Sequence, residues 1–588
     1  MLERLFKVIE KNLLIIYVIL TILFGFLTYF TGYNYPNRSV WDEVYHISSG
    51  EKYITKTMFM EAHPPLGKLL IGLGEKIINP NTDYDKLNWA GKLCLSTVPE
   101  NYKTKNSEGV ETEQKTVKDT NGNERPMNLL DIREKTRVGI DKSGFTATDS
   151  IADYPEYFSF CGYRFFPVVF ASLTPMIFFI LILIITRNKH LSLLSSALIV
   201  FDNALLVQAR AAMLDSIQIF FILTALCIAA KLMNGKKFSI IGYLSIGAAF
   251  GLVCAVKHNG IIFAILPVIV ALVELIKTLK KPALIPTELP TLGLKVDLFF
   301  SYLRTNSRNI LIIISKLALC FCVLAFTYLA IFSIHIGLGQ NIDSKGTNNF
   351  GNYKASPEYI QIIKNKEYFN IFKLNSAIND NYKYMDEYHK GVPKLDNTKA
   401  GENGSYPTNW PVMNRTISYR WETPDGTNYR YTYLIGNPVI WGIGLISLIL
   451  SSALILSVVF FKTPIKDKKS FYFILLFWSL YVIYMAFMMY TISVRVMYLY
   501  HYFIPLIFSL ILAPLLIQYS FGKVLKDEPF DIYPYNKPFL IYTILVAILL
   551  FILIGFSFYS PFTYYTPLNS DQFKMRNLFD FWQMRPVK

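Results

Sequence analysis

The chain has 588 residues, of which 53% are hydrophobic and 17% charged, below the roughly 25% charged residues of soluble domains. Its apolar residues gather in runs near the length that crosses a hydrocarbon core, which excludes a string of soluble domains. The formal charge of +16 follows membrane topology rather than a nucleic-acid footprint, so no nucleic-acid partner is expected.

The first run, from Asn12 to Phe30, follows Arg4, Lys7 and Lys11. It lacks a small-residue cleavage site after a short apolar core, so it reads as a retained helix rather than a signal peptide. A polar segment, 33–163, comes next. Within it, residues 64–78 (PPLGKLLIGLGEKII) are apolar but too short to span. They are expected to form an interfacial helix at the outer surface. Residues 81–150 read as an inserted polar loop or lid. Further apolar runs fall at 165–186, 191–209, 214–230, 238–256, 259–278, 309–337, 436–461, 470–490, 496–518 and 538–559. The total is about eleven spans.

Loop charges set the orientation. With the N-terminus inside, each inside loop carries at least two cations, for example Lys231, Lys236 and Lys237, or Lys462, Lys466, Lys468 and Lys469. The segments 33–163 and 339–435 and the tail 560–588 then all lie outside. Four units follow: an N-terminal membrane module, 1–338; the outer loop 339–435; C-terminal transmembrane helices, 436–559; and the outer tail. Of six cysteines, Cys227, Cys254, Cys320 and Cys322 lie in apolar runs and read as inert. Cys94 and Cys161 share the first outer segment and could pair in an oxidising compartment. No metal spacing occurs, so no metal is expected.

Chemistry concentrates just outside the first span. RSVWDEVYH carries Asp42 and Glu43, and EAHPPLGK carries His63 and Lys68. An Asp-Glu pair alone is most often a solvated turn. Here acids and bases converge where the outer leaflet meets water. That suits transfer from a lipid phosphate: the hydroxyl nucleophile needs one carboxylate base, and phosphate departure is helped by fixed cations. Further charges recur at the outer ends of later spans: Arg164, Arg210, Asp215, Lys257, His258, Arg495 and His501. Any one could simply snorkel. Together, held outside against the inward bias of cations, they suggest an anion site.

WDEVYH followed by HPPLGKLL resembles the first lumenal loop of the protein O-mannosyltransferases, members of the GT-C class of glycosyltransferases. GYRFFPVVFASLT, LLVQARAAMLDSIQIFF, AVKHNG, FSIHIGL, TNWPVMNRTISYRWE, YLIGNPVIW and RVMYLYHYFIPLIF are collinear with further family segments, from about residue 36 to 510. The resemblance implies an all-α polytopic GT-C fold and a polyprenyl (dolichyl) phosphate-mannose donor. It also implies inversion at the sugar carbon, no obligatory cofactor, and an active site on the outer face (endoplasmic reticulum lumen or extracytoplasmic side). Asp42 matches the family's catalytic base. Glu43 would orient the acceptor or the sugar. His63, Lys68, Arg164 and Arg210 would hold phosphate or position the acidic pair. Asp215, Lys257, His335, Arg495 and His501 are further candidates. Partners would be the lipid-linked donor, an acceptor-protein Ser or Thr and membrane lipids; a homo- or heterodimer is left open. The segment 339–435 is too short for the β-trefoil MIR domain of the eukaryotic enzymes. Two other readings stand beside this one. One is a GT-C transferase acting on a lipid or glycan, like the lipid A aminoarabinose transferases. The other is a polytopic transporter or scaffold.

Overall fold

The computed structural model describes all residues except 1, 37, 55, 236, 280–291, 341, 343–354, 369, 400, 424–425, 527–536, 586–588 and most of 79–158. Within that last stretch it describes four short strands, β1 (Lys103–Lys105), β2 (Glu111–Glu113), β3 (Thr116–Lys118) and β4 (Glu124–Pro126), paired as two hairpins. The 81–150 insertion and Cys94 thus fall largely or wholly outside the described residues.

Every apolar run of the sequence falls mostly in helix. In chain order these helices are α1 (Leu2–Phe30), α4 (Cys161–Thr186), the pair α5 (Lys189–Val200) and α6 (Asn203–Ala209), α7 (Asp215–Asn234), α8 (Ile240–Val256) and α9 (Ile265–Thr278). After them come α10 (Leu292–Leu338), α13 (Pro438–Phe461), α14 (Lys468–Ile492), α15 (Phe503–Phe521) and α16 (Lys537–Tyr564). Among the described residues, nine helices are long and apolar enough to cross a membrane, or ten if the bent pair is one span. The 17-residue α8 falls just short of that length.

The helices sort by burial. α7 and α15 bury 67% of their apolar windows, whereas α16 buries 6% and α10 11%. Phe326 on α10 and Ile554 on α16 stand largely exposed. Faces so apolar and so uncovered need hydrocarbon around them. The protein is an integral membrane protein.

One expected span is not straight. The run 191–209 breaks between α5 and α6 with a 61° bend. Asp202 sits in the break, fully buried, and caps α6 by accepting from the Leu205 amide. It also accepts from the Asn437 amide at 3.1 Å and the Trp441 indole at 2.9 Å. The carboxylate satisfies amides that a helix start leaves open, and ties the bend to the start of α13.

Between the spans lie short elements: α2 (Glu43–Ile54), α3 (Leu66–Ile78), α11 (Pro357–Lys364) and α12 (Ile371–Gly391). They continue with the strands β5 (Ile417–Glu422) and β6 (Tyr429–Leu434), then β7 (Pro567–Leu568) and the tail helix α17 (Ser570–Arg576). The sheet order is β5-β6-β7, so the tail is stitched to the segment between α10 and α13. α3 is the expected short helix. It buries Ile71, Gly72 and Glu75 and exposes Leu73 and Ile77. It crosses α2 where Gly50 meets Gly72; a Cβ on Gly72 would lie 2.9 Å from the Gly50 carbonyl. That close approach draws the loop before α2 toward the start of α3.

Candidate active site

The acidic motif turns on its second member. Glu43, the first residue of α2, is fully buried. Its carboxylate accepts from Arg164 Nε at 2.7 Å and Nη2 at 2.8 Å. It also accepts from the amides of Val40 at 3.0 Å and Ala212 at 2.8 Å. Arg164, in the first turn of α4, spends its remaining donors on the carbonyls of Pro36 at 2.8 Å and Arg38 at 2.7 Å. A buried pair this fully bonded is a clamp on the loop. Glu43 faces inward, and Asp42 is left to face a cavity.

That cavity holds about 550 Å³ and lies where α2, α3, α7, α12 and α14 converge with the turns before α7, after α8 and after α14. Asp42 lines it, with Tyr500 donating to its carboxylate at 3.4 Å. Burial pushes Asp42 up to about 6, against the opposing pull of Lys257, the Tyr500 bond and Arg495. Across the cavity, Lys257 donates to Asp215 at 2.5 Å and Lys68 to Glu61. Arg495 donates to His389 Nδ1 at 2.7 Å. Burial pushes His46 and His63 well below the ordinary histidine value and His389 down to about 4. These three imidazoles are therefore neutral at pH 7. Positive charge comes from Lys68, Lys257 and Arg495, and of these Arg495 pairs with a neutral ring rather than a carboxylate.

The expected residues divide. Asp42, His63, Lys68, Asp215, Lys257, Arg495 and His501 line the cavity. Glu43, Arg164, Arg210 and His335 do not. Arg210 donates to the carbonyls of Thr563 and Gly32 and lies 4.6 Å over the Tyr564 ring. It joins the end of α16 to the exit of α1, so both terminal nitrogens are engaged by backbone. His335, at the end of α10, is bonded by Tyr53 at 2.8 Å and faces Asn381.

Sequence reasoning missed Glu61, Gln208, Asn259, His389 and Tyr500 as lining residues. Glu61 and Tyr500 stand inside motifs already singled out. His389 comes from α12, in a polar segment with no motif to mark it. A second cavity of about 580 Å³ adjoins the first, sharing His258, Asp386 and His389. Its other walls are mainly apolar, including Ile261, Leu324, Leu329 and Met385. Ile261 and Leu329 are among the large apolar side chains exposed on the outside.

A family model described as dolichyl-phosphate-mannose-protein mannosyltransferase matches residues 18–101 and 140–338. One described as the C-terminal four TMM region of protein-O-mannosyltransferase matches 381–582. Protein O-mannosyl-transferase 2 of Danio rerio is 24% identical over 209 residues, 35% of this chain and 19% of that protein. Dolichyl-phosphate-mannose--protein mannosyltransferase 6 of Candida albicans is 25% identical over 238 residues, 38% of this chain and 21% of that protein. The matched stretch is thus about a fifth of each relative's length. Among solved structures, the S. cerevisiae protein O-mannosyltransferase Pmt1-Pmt2 complex bound to the sugar donor has TM-score 0.63 at 13% identity, covering 96% of this chain and 92% of that one. That likeness shows a shared GT-C fold. With the two family models spread along most of its length, the chain belongs to the protein O-mannosyltransferase family.

Proposed function

We propose that the chain transfers mannose from a polyprenyl phosphate carrier to a Ser or Thr hydroxyl of an acceptor protein. The observation that carries this reading is the polar cavity, with Asp42 facing three cations and an apolar cavity opening beside it. The isoprenoid chain lies in the apolar cavity, and its phosphate reaches the polar one near Lys257 and Arg495. Asp42 takes the proton from the acceptor hydroxyl as the oxygen attacks the anomeric carbon. The new C–O bond forms as the bond to the carrier phosphate breaks, and the configuration inverts. The charge left on the phosphate is held by Lys257 and Arg495. Glu43 and Arg164 touch neither substrate; they hold the loop that presents Asp42. Relatives described as mannosyltransferases, and a solved neighbour bound to a sugar donor, support the choice of sugar and carrier.

The decisive assay gives purified protein a carrier-linked, labelled mannose with acceptor peptide and, separately, with lipid extracts. Label on peptide Ser or Thr supports the reading. Label on lipid alone rejects the protein acceptor, and no transfer at all rejects the enzyme. The base must be ionised to act, and burial holds Asp42 near 6. Activity as kcat/KM should therefore be full at neutral pH and fall about tenfold per pH unit below about 6. A profile flat down to pH 5 counts against Asp42.

We place the site on the outer face, with the N-terminus inside, from the loop charges. Cysteines introduced near residues 100 and 400 should both react with an impermeant thiol reagent added from the outside. Labelling from opposite sides defeats this topology.

A further inference from the structure

Trp41, the residue before Asp42, has a φ of +45°. A bulky side chain rarely adopts that backbone conformation, which persists only where the surroundings enforce it. The Tyr498 ring packs edge-on against the Trp41 indole, with centroids 5.6 Å apart, and a second enforcing contact comes from the segment 339–435. The Tyr419 ring on β5 stacks on the Trp41 indole, with centroids 5.2 Å apart and planes 19° apart. Arg420, the next residue on β5, donates to the Ser39 carbonyl at 3.3 Å.

Tyr419 also reaches the other side of the cavity. Its hydroxyl donates to Gln208 Oε1 at 2.6 Å. Gln208 Nε2 donates to Asp215 at 2.6 Å, and Asp215 accepts from Lys257. Gln208 thus has its carbonyl fixed by one partner and its amide aimed by the other, and Asp215 is held on both oxygens. One buried side chain, far from both motifs in sequence, ties the Asp42 loop to the Lys257 cation.

We propose that Tyr419 is a positioning residue with two separable roles: its ring aims Asp42 through Trp41, and its hydroxyl sets Lys257 through Gln208 and Asp215. The inference rests on the reading of Asp42 as the base and Lys257 as a phosphate contact. The ring governs the chemical step, so its loss lowers kcat. The hydroxyl governs donor binding, so its loss raises KM for the carrier-linked sugar.

The test uses the full chain with carrier-linked mannose and an acceptor peptide. Tyr419→Phe keeps the ring and removes the hydroxyl. Its KM for the donor should rise about fivefold, the effect of one lost hydrogen bond, with kcat within about twofold. Tyr419→Leu removes both, and kcat should fall at least about tenfold, as expected for a misaimed base. In a Gln208→Leu background the Tyr419→Phe effect on KM should vanish, because the two act through one bond. An unchanged KM in Tyr419→Phe, or additive effects with Gln208→Leu, overturns the hydroxyl's role. An unchanged kcat in Tyr419→Leu overturns the ring's. Where Tyr419→Leu does not fold, Trp41→Leu replaces it, and normal kcat there overturns the ring's role equally. Asp42→Asn in the same assay separates the two levels. An active Asp42→Asn removes the base itself. An inactive Asp42→Asn beside a normal Tyr419→Leu removes only the positioning.

Discussion

Asp42→Asn is expected to lower transfer about a hundredfold or more, the scale of a lost general base. A Ser or Thr hydroxyl is a poor nucleophile at neutral pH, so its proton must leave as it attacks. Asp42 is the carboxylate of the acidic motif that faces the cavity, and Tyr500 donates to it there. Asn keeps the size and accepts the same bond, but has no basic oxygen. The fold should survive, because the clamp on this loop runs through Glu43 and Arg164 rather than Asp42. Donor binding should survive too, since the cavity cations keep their partners. The checks are single-turnover transfer, thermal melting and donor affinity on the same preparation. Near-normal turnover would remove Asp42 from the chemistry. A loss of donor binding equal to the loss of rate would make its role electrostatic.

How far the sequence reaches depends on which physical signal a feature leaves. Apolar runs are one-dimensional, because each span meets hydrocarbon by itself, and all eleven runs lie mostly in helices. The break at Asp202 left a weaker trace: a single Asp inside an apolar run, whose partners, Asn437 and Trp441, come from more than 230 residues away. Side-chain direction left almost none. Asp42 and Glu43 are neighbours with the same chemistry, yet one faces the cavity and the other is sealed behind Arg164. Arg164 and Arg210 both sit at helix ends, as does Lys257, but of the three only Lys257 lines the cavity. What separates them is competition for donors. Arg164 is engaged by Glu43 and backbone carbonyls, and both terminal nitrogens of Arg210 by backbone carbonyls, and no local pattern records that. His389 and Tyr419 belong to the segment 339–435, whose placement over the site is a tertiary fact.

The second large effect concerns Glu43 and Arg164. With Glu43 read from its motif alone, Glu43→Gln would weaken acceptor positioning and do less damage to the chemical step than Asp42→Asn. The geometry gives a different expectation. The pair is 0% and 1% exposed at its side chains, and removing one charge strands the other in a medium that cannot solvate it. Breaking such a pair costs about 3–5 kcal/mol. Glu43→Gln and Arg164→Leu should each lower the melting temperature strongly and by similar amounts. Activity should fall at least in proportion to the folded fraction, with KM for the acceptor unchanged in what remains. Glu43→Leu combined with Arg164→Leu should be more stable than Arg164→Leu alone, because no buried charge is then left unpaired. It should still transfer poorly, since the Val40 and Ala212 amides and the Pro36 and Arg38 carbonyls lose the partners that shape the loop. A Glu43→Gln protein with normal melting and a raised acceptor KM would overturn the clamp and return Glu43 to the acceptor. The contrast with Asp42→Asn is the sharper test: adjacent carboxylates, one loss falling on rate and the other on stability.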